Sequence, residues 1–272
     1  MVVSCTSLVL AVSCGALAGR VDGHPVSGVP AAAATASQPV GAAALAAPRF
    51  PELAPARPRP TPSTTTPAPP LPPTPPPVVA VLGDSYTTGQ PGVGGLDAAN
   101  WSEVLAAREG WDLQRDAIGG TGFAVPSGLG PPFGARVADV IAQHPSLVVV
   151  WSARNDLADP DAQVAAAADQ VLRALCSGLP GTPVVVIGPA WVNRRGDSPA
   201  RFRSERDALA AVTRGLGLPF LDPIAEDWFP AGQPDLVGID HVHPSDLGHV
   251  HVADVVQADL TRLGLVSGRR SG

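Results

Sequence analysis

The chain has 272 residues, a formal net charge of −6 at pH 7 and a pI near 5.4. A protein that binds nucleic acid through its phosphates presents a strongly basic surface, so we expect no nucleic-acid partner. The prolines are unevenly distributed, because 17 of the 32 precede Val78, and the two parts of the chain are therefore interpreted separately.

The first 18 residues, MVVSCTSLVLAVSCGALA, contain an apolar run of the length found in signal peptides. They lack the usual basic start, are too short to span a bilayer comfortably, and end in the small-x-small pattern Ala16-Leu17-Ala18. We interpret residues 1–18 as a signal peptide and expect a secreted or cell-envelope protein. A lipid anchor on Cys14, which follows Ala-Val-Ser, is the alternative to cleavage after Ala18.

Residues 19–77 are rich in proline, alanine and threonine, as in RPRPTPSTTTPAPPLPPTPPP, and contain few large apolar side chains. Such a segment cannot bury enough apolar surface to offset the entropy that is lost on folding. We therefore predict a disordered linker, extended by its prolines, ahead of a folded domain.

Apolar runs alternate with helix-period segments over residues 78–268, which we predict to form a single folded domain. Runs of β-branched residues without polar alternation are typical of strands buried on both faces, and they occupy residues 78–82, 147–151 and 183–188. A shorter strand is predicted within 111–117, and amphipathic segments cover 98–110, 134–144, 161–178 and 201–217. This alternation predicts an α/β domain, a three-layer α/β/α sandwich with a parallel sheet.

Polar residues follow three of these strands, where the active groups of parallel sheets gather. Ser85, in GDSYTTG, is a candidate nucleophile, with a helix cap as the alternative. The glycines of IGGTGF expose backbone N–H groups, although a tight loop or a weak phosphate cradle would use the same residues. In SARNDL, Asn155 could donate its amide to an oxyanion and Asp156 could brace the loop, or both could simply open a helix.

The segment GIDHVHPSDLGHVH holds four of the six histidines of the chain. Asp240 and His243 lie three residues apart, directly before Pro244. On a tight loop, this spacing lets the carboxylate orient the imidazole while the other ring nitrogen faces Ser85.

Taken together, GDSYTTG, IGGT, ARND and DHVHP resemble, in order and position, the four sequence blocks of the SGNH hydrolases, also called GDSL esterases or lipases. The resemblance covers about residues 78–263 and implies the flavodoxin-like form of the α/β/α sandwich. It also implies a serine esterase mechanism with no cofactor.

The resemblance assigns roles to individual residues of this chain. Ser85 would be the nucleophile, His243 the general base and Asp240 the residue that orients His243. The oxyanion hole would consist of the Ser85 N–H, a glycine N–H and the Asn155 side chain.

Two departures from the family pattern affect the oxyanion hole. Ala153 stands where the asparagine block usually has glycine, which leaves the path of that loop open. The Gly-x-Thr spacing favours Gly119 as the backbone donor, and a shift of one residue would select Gly120 instead.

The histidine-rich segment also allows a zinc site, built from Asp240, His241, His243 and Asp246. We expect no metal, because the catalytic interpretation already explains Asp240 and His243. On the last helix, His249 and His251 are two residues apart, too close in sequence for a helical ligand pair, and we expect both on or near the surface.

These observations predict a secreted serine esterase that hydrolyses an acyl ester, with acetyl as one candidate, of a lipid or a cell-envelope glycan. A thioesterase or lysophospholipase with the same three residues is the alternative within the enzyme class. A catalytically silent envelope-binding module is the alternative outside it. Arg194 and Arg195 are interpreted as part of a solvated loop rather than as contacts for an anionic substrate.

Overall fold

The computed structural model describes residues 74–89 and 100–266. Five parallel strands form one sheet in the order β2-β1-β3-β4-β5, the strand order of flavodoxin-like folds. The strands are β1 (Val78–Gly83), β2 (Asp112–Ala117), β3 (Leu147–Trp151), β4 (Val184–Ile187) and β5 (Phe220–Leu221). The helices are α1 (Ser85–Thr88), α2 (Trp101–Glu109), α3 (Val137–Ala142), α4 (Asp161–Gly178), α5 (Pro199–Leu216) and α6 (Asp246–Arg262). The predicted α/β fold with a parallel sheet is confirmed.

The three central strands are the β-branched runs of the sequence, and they are buried on both faces. Residues of β3 and β4 are almost fully buried, whereas the residues of β2, at the edge of the sheet, are partly buried or exposed. The fifth strand was not predicted, because two residues are too few to show a period.

Helices cover both faces of the sheet. Successive side chains of a strand point to opposite faces, so the core has two parts. On one face, Val81 and Val149 pack against α2 and α6 through side chains that include Leu105 and Val256. On the other face, the strands pack against α3, α4 and α5, which contributes the buried Leu209 and the partly buried Val212 and Leu216. The layers are therefore the predicted helix, sheet and helix.

Side-chain caps fix where α2 and α6 begin. Asn100 accepts hydrogen bonds from the N–H groups of Ser102 and Glu103 at the start of α2. Ser245 accepts one from the N–H of Gly248 at the start of α6. The loop that ends at Ser245 therefore enters α6 with a defined geometry.

The predicted signal peptide and nearly all of the predicted linker (residues 1–73) lie outside the described residues, as does the end of the predicted domain after residue 266. Residues 74–77 lead into β1 as an exposed segment without regular structure. Within residues 74–89 and 100–266, no helix has the length and apolar character needed to cross a membrane.

Candidate active site

The nucleophile candidate lies at the carboxyl end of the central strand. β1 ends at Gly83, Asp84 caps the four-residue helix α1, and Ser85 is the first residue of that helix. A Cβ atom on Gly83 would lie 2.4 Å from Oγ1 of Thr87, so only glycine allows this tight turn. Ser85 is mostly buried, with 8% of its surface exposed.

The structure brings the three predicted catalytic side chains into one hydrogen-bonded series. Nε2 of His243 lies 2.9 Å from Oγ of Ser85, and Nδ1 of His243 lies 2.5 Å from Oδ2 of Asp240. The serine and the histidine come from segments 158 residues apart in the sequence. This geometry allows the imidazole to take the serine proton while the carboxylate holds the ring.

The loop before α6 holds Asp240 in place with its own backbone. Oδ1 of Asp240 accepts hydrogen bonds from the N–H groups of Val242 and His243, at 2.9 and 3.1 Å. Partial burial of Asp240 raises the pKa of its carboxyl, but these bonds and the His243 ring outweigh burial and hold the pKa below its usual value. Asp240 is therefore an anion over the whole range in which esterases are assayed.

Gly119 lies beside the nucleophile, as the predicted oxyanion hole requires. A Cβ atom on Gly119 would be 3.7 Å from Cβ of Ser85, an ordinary contact distance. Gly120, the alternative donor, has a φ of +79°, and a side chain there would meet Ser127 instead. Gly119 is thus the glycine of this pair that faces Ser85.

Asn155 also reaches the site, but both hydrogens of its amide are already engaged. Nδ2 of Asn155 donates to Oδ2 of Asp84, at 3.0 Å, and to the carbonyl of Thr121, at 2.9 Å. The N–H of Ala153 donates to the same Asp84 oxygen at 2.8 Å. Ala153 is fully buried, so the loop takes this path with alanine in the place where the family pattern has glycine.

Asp84 is a site residue that the sequence analysis missed. Its fully buried carboxylate accepts the N–H of Tyr86 as well as the donors of Ala153 and Asn155. It therefore joins the turn that carries the nucleophile to the loop after β3. Burial raises the pKa of Asp84 to about 7, although the donors from Ala153 and Tyr86 oppose the rise. The GDS motif contains this residue, but no spacing in the sequence indicates a partner 71 residues away.

Asp156 braces the loop, as one interpretation of the sequence proposed. Its carboxylate accepts hydrogen bonds from the hydroxyl of Ser152 and from the N–H groups of Phe123, Ala124 and Val125. It thereby ties the segment after β3 to the glycine loop after β2. A Cβ atom on Gly122 would lie 2.3 Å from this carboxylate, which explains the glycine there.

The expectation that His249 lies at the surface was wrong. His249 is 1% exposed, because it points from α6 towards α2, where its Nδ1 accepts the N–H of Trp101. Burial lowers the pKa of His249 to about 4, so the ring is neutral. His251 is half-buried on the same helix.

The described residues contain no group of three or more histidine, cysteine, aspartate or glutamate side chains arranged to hold a metal ion. Asp240 and His243 bond to each other, and His243 also bonds to Ser85.

Comparisons with known proteins identify the family. The model of the GDSL-like lipase/acylhydrolase family matches residues 81–250. The protein named GDSL lipase Rv0518, from Mycobacterium tuberculosis, is 37% identical in an alignment of 198 residues that covers 69% of this chain and 83% of that protein.

Solved structures share the fold at low sequence identity. The lipase/acylhydrolase from Enterococcus faecalis has a TM-score of 0.53 and 17% identity, over 71% of this chain and 99% of its own. The psychrotrophic esterase EstA from Pseudoalteromonas sp. has a TM-score of 0.52 and 16% identity, over 68% of this chain and 97% of its own. At these identities the likeness concerns the fold alone. Because the family model covers more than half of the chain, this protein belongs to the GDSL-like lipase/acylhydrolase family and is a hydrolase that acts on ester bonds.

Proposed function

We propose that Ser85, His243 and Asp240 carry out ester hydrolysis through an acyl-enzyme. Oγ of Ser85 attacks the carbonyl carbon, and its proton passes to Nε2 of His243. The tetrahedral intermediate then breaks its bond to the alcohol oxygen, which leaves with that proton. Water hydrolyses the acyl-enzyme by the same steps in the second half of the cycle. The observation that carries this proposal is the series of contacts from Asp240 to His243 to Ser85, at 2.5 and 2.9 Å.

The negative charge on the carbonyl oxygen would be stabilised by the N–H groups of Ser85 and Gly119 and by the amide of Asn155. Ser85 is the first residue of α1, where a backbone N–H has no partner within the helix. The Asn155 amide contributes when the oxyanion replaces one of its two present acceptors, Asp84 or the Thr121 carbonyl. Removing one donor of this kind typically costs about 10²–10³ in turnover.

The nucleophile is tested with a variant and a covalent probe. Ser85→Ala should lose hydrolysis of para-nitrophenyl acetate, and a fluorophosphonate should label the wild type but not this variant. Ser146→Ala is the matched control, because Ser146 is exposed at the opposite end of β3, where its hydroxyl and N–H donate to the carbonyl of Val78. Full activity of the Ser85→Ala enzyme would exclude the mechanism.

We infer further that the enzyme is exported and that its substrate is an acyl ester, with acetyl as one candidate, of a lipid or a cell-envelope glycan. The apolar start of the chain and the proline-rich segment that follows support this inference. A thioesterase or lysophospholipase would use the same three residues. Family membership favours an enzyme over the silent binding module.

Substrate class and export need separate measurements. A panel of oxygen and sulfur esters with short and long acyl chains separates an acetylesterase from a thioesterase or a lysophospholipase. Cell fractionation of the full chain, beside a variant that lacks residues 1–18, tests export. Equal amounts of both proteins in the cytoplasmic fraction would contradict it.

A further inference from the structure

A cavity of about 590 Å³ lies next to the catalytic aspartate. Cavities of ~300–1,000 Å³ are the size that commonly binds small ligands. The loop between β4 and α5 forms one wall and the segment from Phe229 to His241 forms the other. Since the β4 loop leaves the same sheet edge as Ser85 and Asn155, and Asp240 lines the cavity, the cavity lies at the active-site edge of the sheet.

The cavity has an apolar part and a cationic part. Val192, Phe229 and Val237 supply apolar surface, and the side chains of Arg194 and Arg195 line the other part. Arg195 is exposed and forms no ion pair within the described residues, so its charge is available to a ligand. The whole chain has a net charge of −6, so a cationic wall beside the active site is a local feature.

Asp197 holds Arg194 and one further arginine near this wall. It pairs with Arg154 at 2.8 Å and with Arg194 at 3.1 Å, and its side chain is only 11% exposed. Asp197 thus pairs with two of the three arginines, Arg154 and Arg194, and leaves the Arg195 guanidinium unpaired within the described residues. Asp240 lines the cavity as well, but its oxygens are engaged by His243 and two backbone N–H groups.

Arg154 connects this cluster with the catalytic groups. Its guanidinium lies against Phe202, at 5.6 Å from the ring centroid, and its Nη1 is buried without a hydrogen-bond partner in the described part of the chain. Burial raises the pKa of the Tyr86 hydroxyl, and the nearby charge of Arg154 opposes that rise. Tyr86 in turn packs against His243, with ring centroids 5.6 Å apart.

We propose that this cavity is a subsite for an anionic group, a carboxylate or a phosphate, on the ester substrate, and that Arg195 binds that group. The inference rests on the proposed function, because it concerns the substrate of the same site. The apolar surface would hold the carbon chain between the ester and the charge. Guanidinium groups suit this role, since they bind carboxylate and phosphate oxygens through paired N–H donors.

Matched ester pairs test the subsite on both sides of the scissile bond. For the alcohol side, para-acetoxybenzoate is compared with its neutral methyl ester. For the acyl side, the para-nitrophenyl monoester of adipic acid is compared with para-nitrophenyl hexanoate. We expect a higher kcat/KM for the anionic member of at least one pair, and that pair identifies the side on which the charge is bound.

Variants then assign the preference to Arg195. Arg195→Gln should lower the ratio of kcat/KM for the anionic over the neutral ester about tenfold, and Arg195→Lys should restore part of it. About 0.5 M salt should lower the wild-type ratio, because exposed charges are screened. Arg214→Gln is the control, since Arg214 is exposed in the last turn of α5, at the far end of that helix, and should leave the ratio unchanged.

The outcomes separate this inference from the proposed function. If the wild type hydrolyses the neutral esters through Ser85 without preferring either anionic ester, the subsite is refuted and the mechanism stands. An unchanged ratio in Arg195→Gln also refutes the subsite. If Ser85→Ala hydrolyses the neutral esters as fast as the wild type, the mechanism itself fails.

Discussion

Asp240 determines which nitrogen of His243 carries the proton, because its carboxylate accepts from Nδ1 and leaves Nε2 free to take the proton of Ser85. In Asp240→Asn, the amide can donate to Nδ1 and so favours the wrong tautomer. We expect kcat to fall on the order of 10³–10⁴, as in serine proteases, with little change in KM. Steady-state kinetics on para-nitrophenyl acetate measure this, and near-UV circular dichroism checks the fold. A loss below tenfold would show that Asp240 does not orient the base.

The Asn155 amide donates two hydrogen bonds within the protein, and we propose that it also donates to the oxyanion. Asn155→Ala should lower kcat about 10²–10³ while KM changes little, because the oxyanion forms only after substrate binding. Its hydrogen bonds to Asp84 and Thr121 are also lost, so the melting temperature should fall as well. A variant that melts lower but keeps its kcat would assign Asn155 a purely structural role.

At the scale of elements, one side chain joins the nucleophile helix to the histidine loop. The hydroxyl of Tyr86, on α1, donates to the carbonyl of Val242, the residue before His243. Tyr86→Phe should destabilise the protein by about 1 kcal/mol, because the carbonyl loses its partner. Since the same bond positions the loop, kcat should also fall several-fold. Chemical denaturation and kinetics measure the two effects, and an unchanged kcat would show that the loop is held without this bond.

The first turn of α6 packs so closely on the backbone of Leu236 that only glycine fits at position 248. A Cβ atom on Gly248 would lie 2.0 Å from the carbonyl oxygen of Leu236, which also accepts the N–H of Ser245. We expect Gly248→Ala to displace this segment and to lower both the melting temperature and kcat.

Gly215→Ala is the matched control, because nothing lies within 4 Å of a Cβ atom on this α5 residue. Alanine in a helix is favoured by roughly 0.5–1 kcal/mol over glycine, so this control should be neutral or slightly stabilising. Equal melting temperatures for the two variants would exclude tight packing at Gly248.

At the scale of the whole molecule, the features that the sequence predicts are those that repeat or follow a strand end. The β-branched runs predict three strands within a residue or two, and the polar residues after them lie together because parallel strands share a carboxyl edge. Local patterns do not show contacts between distant segments. The bond from Asp84 to Asn155 and the burial of His249 against α2 both depend on the folded chain.

Buried ionisable groups make the stability of the whole molecule depend on pH. Burial raises the pKa of Glu205, on α5, to about 8 and that of Asp84 to about 7, from ordinary values of 4.5 and 3.8. Between its ordinary and its raised pKa, each group binds a proton in the folded state that it has lost in the unfolded chain. Stability therefore falls as pH rises through this interval, at most roughly 1.4 kcal/mol per pH unit for each group.

His249 makes stability change with pH in the opposite direction, over a lower pH range. Burial lowers its pKa from 6.5 to about 4, so between these values the unfolded chain holds a proton that the folded protein has lost. The free energy of unfolding therefore rises with pH up to 6.5, and His249 does not change it further above that value. From pH 6.5 to 8 the effect of Glu205 is therefore unopposed by this histidine.

We expect the melting temperature to fall from pH 6.5 to pH 8, and Glu205→Gln to remove much of this fall. Glu205 is fully buried, neither of its carboxylate oxygens has a hydrogen-bond partner in the described part of the chain, and Arg201 lies 3.5 Å away. A glutamine is neutral at every pH and has nearly the same shape, so it avoids the cost of a buried charge. Asp207→Asn is the control, because this carboxylate on the same helix is 69% exposed. Scanning calorimetry at several pH values gives the slope, and equal slopes for the wild type and Glu205→Gln would mean that Glu205 ionises as readily in the folded protein as in the unfolded chain.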